Sequence, residues 1–144
     1  MLRNYLITAF RNLRRHKVYT LINDVAAYPE FMEGCVGAEL ISHHDNVMEA
    51  RLDLAKAGFR HSFTTRNTLY PPHRIVMTLV NGPFSVFEGN WTLESLHHQA
   101  CKVSLQLRFT LINPWVDLAA GQLFNPLANH LVAAVAQRAK HVYA

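Results

Sequence analysis

From Ala38 to Asn113 the apolar residues recur at every second position, and no other feature of the sequence restricts the fold as much. Met48, Ala50, Leu52 and Leu54 alternate with Val47, Glu49, Arg51 and Asp53, and Phe59, His61, Phe63 and Thr65 alternate with Arg60, Ser62, Thr64 and Arg66. Ile75, Met77 and Leu79 form a further set, as do Phe87, Gly89, Trp91 and Leu93, and then Val103, Leu105, Leu107, Phe109 and Leu111. A period of two sends successive side chains to opposite faces, so these are antiparallel strands with one dry and one wet face. His44-Asp45-Asn46, Ala57-Gly58, Pro71-Pro72-His73, Asn81-Gly82-Pro83 and His97-His98-Gln99 read as hairpin turns. Six strands follow, starting near residues 38, 47, 59, 74, 84 and 100.

After Asn113 the period lengthens. Trp115, Leu118, Ala119, Leu123, Leu127, Leu131, Val135 and Val142 share one helical face, and Asn129, Gln137 and Lys140 fall on the other. Asn113 and Asn125 suit the N-cap, and Pro114 and Pro126 the first helical position, where no N–H is needed. The segment therefore predicts a short helix from Pro114, a break near Asn125 and a long helix from Pro126. Its apolar face needs a partner, which the concave side of a curved meander can supply. Before the meander, Tyr19, Leu21, Ile22 and Val25 predict one short helix. Tyr28-Pro29-Glu30-Phe31 turns into a second, ended by Gly34 and Gly37. The whole is an α+β chain.

Five of the 14 Lys and Arg residues fall before residue 18, together with none of the ten acids. Any basic partner-binding surface is thus mainly an N-terminal property. Residues 1–17 read as a basic amphipathic helix, with Leu2, Tyr5, Leu6, Ala9 and Leu13 on one face. Such a helix either makes peripheral contact with an anionic membrane or packs on its own domain. A mitochondrial presequence shares the Arg-rich, acid-free character but would contain serine. A strand over Tyr5–Phe10 is the remaining alternative. The organisation expected is this segment followed by a single domain over 18–144, and a chain of 144 residues buries roughly two-thirds of its unfolded surface. No apolar run approaches the ~20 residues that span a bilayer. Cys35 and Cys101 read as reduced thiols in a cytoplasmic setting.

The common catalytic and nucleotide-binding motifs are absent. The nine histidines include two His-His pairs at turns and no i, i+4 pair, so no metal site is expected. Glu49, Asp53 and Glu88 read as wet-face carboxylates paired with Arg51, Arg60 or Arg66, and His61 as a satisfied sheet histidine. What remains is a cavity between sheet and helix. Its wall would be Met48, Leu52, Leu54, Phe59, Phe63, Met77, Leu79, Phe87 and Trp91, with Leu123, Leu127 and Leu131 from the helix. Large, flexible and aromatic side chains suit an apolar ligand with few polar anchors. They equally suit a filled core, which on pattern alone is the simpler reading. Arg66 and Asn67 are candidate anchors for a ligand head group, set against an outer-face ion pair and a turn-side hydrogen bond. Cys35 reads as packing or as a thiol near the entrance, and Tyr28 and Phe31 as staples of the short helices.

Several segments carry a resemblance. They are Asn23-Asp24-Val25-Ala26-Ala27-Tyr28-Pro29-Glu30-Phe31, Gly34-Cys35, Lys56-Ala57-Gly58-Phe59 and Ser62-Phe63-Thr64-Thr65-Arg66-Asn67. Asn81-Gly82-Pro83-Phe84, Gly89-Asn90-Trp91 and Arg138-Ala139-Lys140-His141-Val142-Tyr143 extend it. From about Tyr19 onward the chain resembles the START-like (SRPBCC) family of mitochondrial coenzyme Q-binding proteins and the bacterial ribosome association toxin RatA, and most closely its bacterial branch. The resemblance implies a helix-grip fold, with a sheet wrapped round the terminal helix and a hydrophobic tunnel between them. For the coenzyme Q-binding members it implies ubiquinone binding in support of respiratory electron transport, without catalysis. For the toxin members it implies association with the large ribosomal subunit, blocking its joining to the small one. The broader superfamily also holds cyclase- and hydrolase-type enzymes. The expectation is a non-enzymatic carrier of a hydrophobic small molecule, ubiquinone first, with ribosome binding as the alternative. The location expected is the cytoplasm, with possible peripheral attachment to the inner membrane.

Family members usually open with a strand that joins the sheet. Here MLRNYLITAFRNLRRHK, read on through Tyr19-Thr20-Leu21-Ile22-Asn23, resembles the cytoplasmic start of an ABC-transporter permease subunit of the MacB/FtsX kind. The first family strand is therefore expected to be missing or replaced, leaving one sheet edge unpaired.

Overall fold

A computed structural model describes residues 2–10, 14–56, 59–96, 100–112 and 131–143, with backbone alone for 2–10, 56, 59 and 111. The first element, β1 (Leu2–Phe10), is a strand, which corrects the expected N-terminal helix. It pairs antiparallel with the last strand of the sheet, from Leu2 opposite Arg108 to Phe10 opposite Cys101, with one register shift between Tyr5 and Ile7. The family's first strand is accordingly present. Helix propensity is a weak preference, and an open row of backbone donors and acceptors along a sheet edge outweighs it. Membrane contact through an amphipathic helix at 1–17 loses its premise. Among the described residues no helix is long and apolar enough to cross a membrane.

Next come α1 (Arg15–Asn23), a 3-10 turn (Val25–Ala27) and α2 (Tyr28–Phe31). Val18, Tyr19, Leu21 and Ile22 bury one face of α1. The Tyr28 hydroxyl donates to the Ile22 carbonyl, one of the orphan acceptors at the C-terminal end of α1. Gly34, at φ 90°, turns the chain into the meander, where a side chain would be strained.

The meander comprises β2 (Cys35–His44), β3 (Val47–Lys56), β4 (Phe59–Tyr70), β5 (Arg74–Asn81), β6 (Phe84–Ser95) and β7 (Cys101–Leu111). With β1 it makes a single seven-stranded antiparallel sheet in the order β1-β7-β6-β5-β4-β3-β2. Five of the six strand starts expected from alternation are recovered to within one residue, because a buried face fixes register strongly, and β2 starts three residues earlier than expected. Asp45, at φ 51°, forms the β2–β3 turn in a conformation that short polar side chains tolerate. The turns at 57–58 and 97–99 lie outside the described residues.

Residues 131–142 are helical. Val132, Val135 and Ala139 are buried with Trp91, Leu93, Val103 and Leu105 of the sheet and Val18 and Ile22 of α1, so helix and sheet share one core. Val142, expected on the same face, is exposed, whereas Gln137 and Lys140 face outward as expected. The remainder of the terminal segment, including the helix from Pro114, the break near Asn125 and the inward positions of Trp115, Leu118, Ala119, Leu123 and Leu127, lies outside the described residues. Arg138 reaches Glu30 at 3.7 Å and lies over the Phe31 ring at 5.4 Å, joining helix to α2.

The outer face of the sheet is laced with ion pairs. Arg51 bonds both Glu39 and Asp53, and Arg66 bonds Glu49 at 2.8 Å. Glu88 pairs with Arg108 on the neighbouring strand, 3.6 Å away, rather than with the arginines expected. Asp53 also accepts from Ser62 at 2.6 Å, and this bond, followed by Arg51, holds its carboxyl below the usual range.

Candidate functional site

The dry face of β4 carries Phe63, Thr65, Asn67 and Leu69 in sequence, all buried. Register extends each position across the sheet. Ala50 stands opposite Thr65 and Leu52 opposite Phe63 on β3, while Asn67 faces Met77 on β5 and Met77 faces Gly89 on β6. A Cβ at Gly89 would overlap the Met77 methyl and come within 3.0 Å of a Leu107 methyl. The glycine therefore lets the Met77 side chain lie flat across the sheet.

Over this band the core does not close. A cavity of about 90 Å³ remains, walled by β3 to β7, capped by Ile22, Val25, Tyr28 and Met32 from the short helices, and reached by Leu131 from the terminal helix. Phe63, Phe84, Phe87 and Phe109 form one end, with ring centroids 5.0 to 6.1 Å apart in tilted and edge-on contacts. Six residues expected in the wall line it: Leu52, Phe63, Met77, Phe87, Trp91 and Leu131. Met48 and Leu54 are buried in the surrounding core, and Leu79 packs against it. Leu123 and Leu127 lie outside the described residues, as does the side chain of Phe59.

Two features of the wall were not read from sequence. The first is Tyr28, expected only to staple its helix, which lines the cavity and is buried. Burial is the main reason its phenol is pushed well above its ordinary range, with Cys35 and Asp24 adding to the effect. The second is Phe84. A bulge between Phe84 and Val86 shifts the β6 register, so that Phe84 and Phe87 face inward together.

Thr65 and Asn67 are the buried polar residues of the described core, 6% and 5% exposed. The Thr65 hydroxyl donates to the Asn67 side-chain carbonyl at 2.9 Å, which offsets the cost of burying both. Asn67 thus sets its amide on a mainly apolar wall, next to a cavity it helps to line. The other anchor candidate, Arg66, points to the wet face and is held by Glu49. Asn23 also lines the cavity, and its side-chain oxygen is buried with no partner among the described residues.

Cys35 and Cys101 are free thiols, both buried. Burial raises both above the usual thiol range, Cys101 to about 11, so both are protonated and unreactive at neutral pH. Among the residues lining the cavity, Tyr28 is the one that ionises. An apolar wall with an amide, a hydroxyl and a neutral phenol can hold a small uncharged molecule. Among the described lining residues none is a histidine or a carboxylate.

A family model described as polyketide cyclase / dehydrase and lipid transport matches residues 12–136. A ribosome association toxin, RatA, of Vibrio cholerae is 40% identical over 136 residues, which cover 94% of this chain and 94% of that protein. RatA of Escherichia coli K12 is 39% identical over 136 residues, covering 94% and 86% respectively. Among solved structures, a START superfamily protein from Mycobacterium smegmatis matches with a TM-score of 0.79 at 18% identity, over 98% of each chain. At that identity the likeness speaks for the fold alone.

Proposed function

This chain belongs to the polyketide cyclase / dehydrase and lipid transport family, the START-like helix-grip proteins, and from that premise we propose that it is a ribosome association factor of the RatA type. It binds the large ribosomal subunit and blocks subunit joining, and it does so by binding rather than catalysis. One observation carries the reading: two-fifths identity to a ribosome association toxin along nearly the full length of both chains. This reading ranks above the quinone carrier favoured on sequence, because ubiquinone has no comparable support. The cavity agrees with that ranking. At about 90 Å³ it is smaller than the ~150 Å³ apolar void that accepts a benzene, so a quinone head would have to displace its wall.

Sedimentation through sucrose gradients tests the proposal. Added to ribosomes, the protein is expected to travel with the large subunit and to shift 70S particles toward free subunits. Protein that stays at the top of the gradient while 70S particles persist would end this reading.

The Thr65–Asn67 pair on the cavity wall favours a second reading, in which the same fold holds an apolar ligand bearing a hydrogen-bond acceptor such as a quinone carbonyl. Leu52, Met77, Phe109 and Leu131 are the partly buried apolar residues of the wall. On this second reading, native protein extracted for lipid mass spectrometry yields a stoichiometric apolar compound, lost in Leu52→Trp. Equal recovery from a folded Leu52→Trp variant would place the compound elsewhere.

A further inference from the structure

The surface charges are not evenly neutralised. Arg51, Arg66, Lys102, Arg108 and Arg138 each meet a carboxylate. Arg15 and Arg74 meet none among the described residues, and both border one surface where α1 passes the β4–β5 turn. There an open groove of about 650 Å³ is bounded by Arg15, Tyr70, His73, Arg74 and Thr92. Glu94 also borders it and is the acid of the groove, facing Lys102 at 4.0 Å.

The groove is held in shape. The Leu93 N–H donates to the His73 carbonyl at 2.8 Å and the His73 N–H to the Tyr70 carbonyl at 2.7 Å, which pins the turn to β6. The Tyr19 hydroxyl donates to the Arg74 carbonyl at 3.3 Å, tying α1 to the start of β5. Arg15 donates to His73 Nδ1 at 3.0 Å. A guanidinium can only donate, so His73 Nδ1 is the acceptor in this contact. The Arg74 guanidinium lies 4.5 Å from the centroid of the Tyr70 ring, and Tyr70 is 44% exposed. Cations free of acid partners beside an exposed, arginine-backed aromatic ring match the two needs of single-stranded RNA, phosphate neutralisation and a stacking platform.

We infer that this groove is an RNA-docking surface: Arg15 and Arg74 take adjacent backbone phosphates and Tyr70 carries an unpaired base. The inference rests on the ribosome reading and names the chemistry by which the large subunit would be recognised, exposed single-stranded ribosomal RNA. It does not depend on the cavity, and the ion-paired face of the sheet takes no part.

The test is binding of the full chain to isolated large subunits and, separately, to a short unstructured RNA oligonucleotide, each across a salt series. Arg15→Gln/Arg74→Gln is expected to weaken both at least tenfold at ~0.1 M salt. It should also flatten the slope of log affinity against log salt by about 1.5, the share of two phosphate contacts. Tyr70→Ala is expected to lower affinity about tenfold with the slope unchanged, the mark of a lost stack. Arg60→Gln/Lys140→Gln, at two exposed positions that do not line the groove, removes the same two charges and is expected to change neither. Unchanged affinity and slope for large subunits in a folded Arg15→Gln/Arg74→Gln variant would overturn the groove while leaving ribosome association intact. Groove-dependent binding to the oligonucleotide with none to the subunit would uphold the RNA surface and reject the ribosome. Binding to neither would overturn both.

Discussion

Trp91→Ala is expected to cost about 3–5 kcal/mol, the range for removing a large aromatic side chain from a core. Trp91 is 2% exposed and stands between Ile75 on β5 and Leu105 on β7, which are equally enclosed. Few positions in the sheet combine that volume with that burial. The wall it leaves cannot collapse inward, because the cavity already lies on one side of the indole. The two voids would merge, and the neighbouring side chains would lose packing partners without gaining new ones. A domain of ordinary stability, ~5–15 kcal/mol, would keep little reserve. Urea denaturation followed by circular dichroism should show the loss directly, and the thermal midpoint should fall by roughly 10–20 °C. Trp91→Phe keeps a ring in place and should cost less than half as much. A Trp91→Ala protein within about 1 kcal/mol of the parent would mean that the indole does not hold the sheet to its core.

The same residue shows why so much of the sheet was legible. Trp91 falls in an alternating run whose inner members are buried and whose outer members pair with charges, so register and face follow from the pattern. Phe84 escaped because the bulge before Val86 breaks the alternation by one residue, and nothing in the local composition announces it. β2 was placed with its start late. Most of its residues are exposed on both faces, Leu40 and Ile41 to 46% and 48%, so a period of two has no buried side to mark. Asn67 continues the Phe63–Thr65 alternation, and that was the available sign of a polar group on the dry face. Whether the expected cavity stays open or is filled was beyond the reach of pattern. Periodicity turns Ile22, Phe63 and Trp91 toward the interior, but whether side chains fill a space or frame it depends on packing in three dimensions. The clustering of Arg15 with His73 and Arg74 is a matter of fold in the same way, since 58 residues separate the first two in the chain.

Removing β1 is the change expected to have the largest effect, and it bears on the element that sequence misjudged. A chain beginning at Arg11 would leave β7 as the edge of the sheet along the whole register from Cys101 to Arg108. Even about four ladder hydrogen bonds, at about 0.5–1.5 kcal/mol each, amount to some 2–6 kcal/mol of lost stabilisation. The exposed edge adds a second penalty. Val103 and Leu105 are fully buried on the inner face of β7, so the freed strand is long, apolar on one side and ready to pair with another chain. The truncated protein is therefore expected to aggregate or to dimerise through β7, and to lose a cooperative melt. Size-exclusion chromatography with light scattering reads the first effect and calorimetry the second. In the intact chain, hydrogen exchange should find the β7 amides that face β1 protected to nearly the same degree as those that face β6. If the truncated chain remains monomeric and melts within about 3 °C of the parent, residues 2–10 contribute no strand to the fold in solution. The amphipathic-helix reading of the N-terminus would then stand. Aggregation rescued by adding the ten-residue peptide in trans would instead identify the segment as the missing strand, since the open edge can accept it from solution at a concentration high enough to offset the loss of the tether.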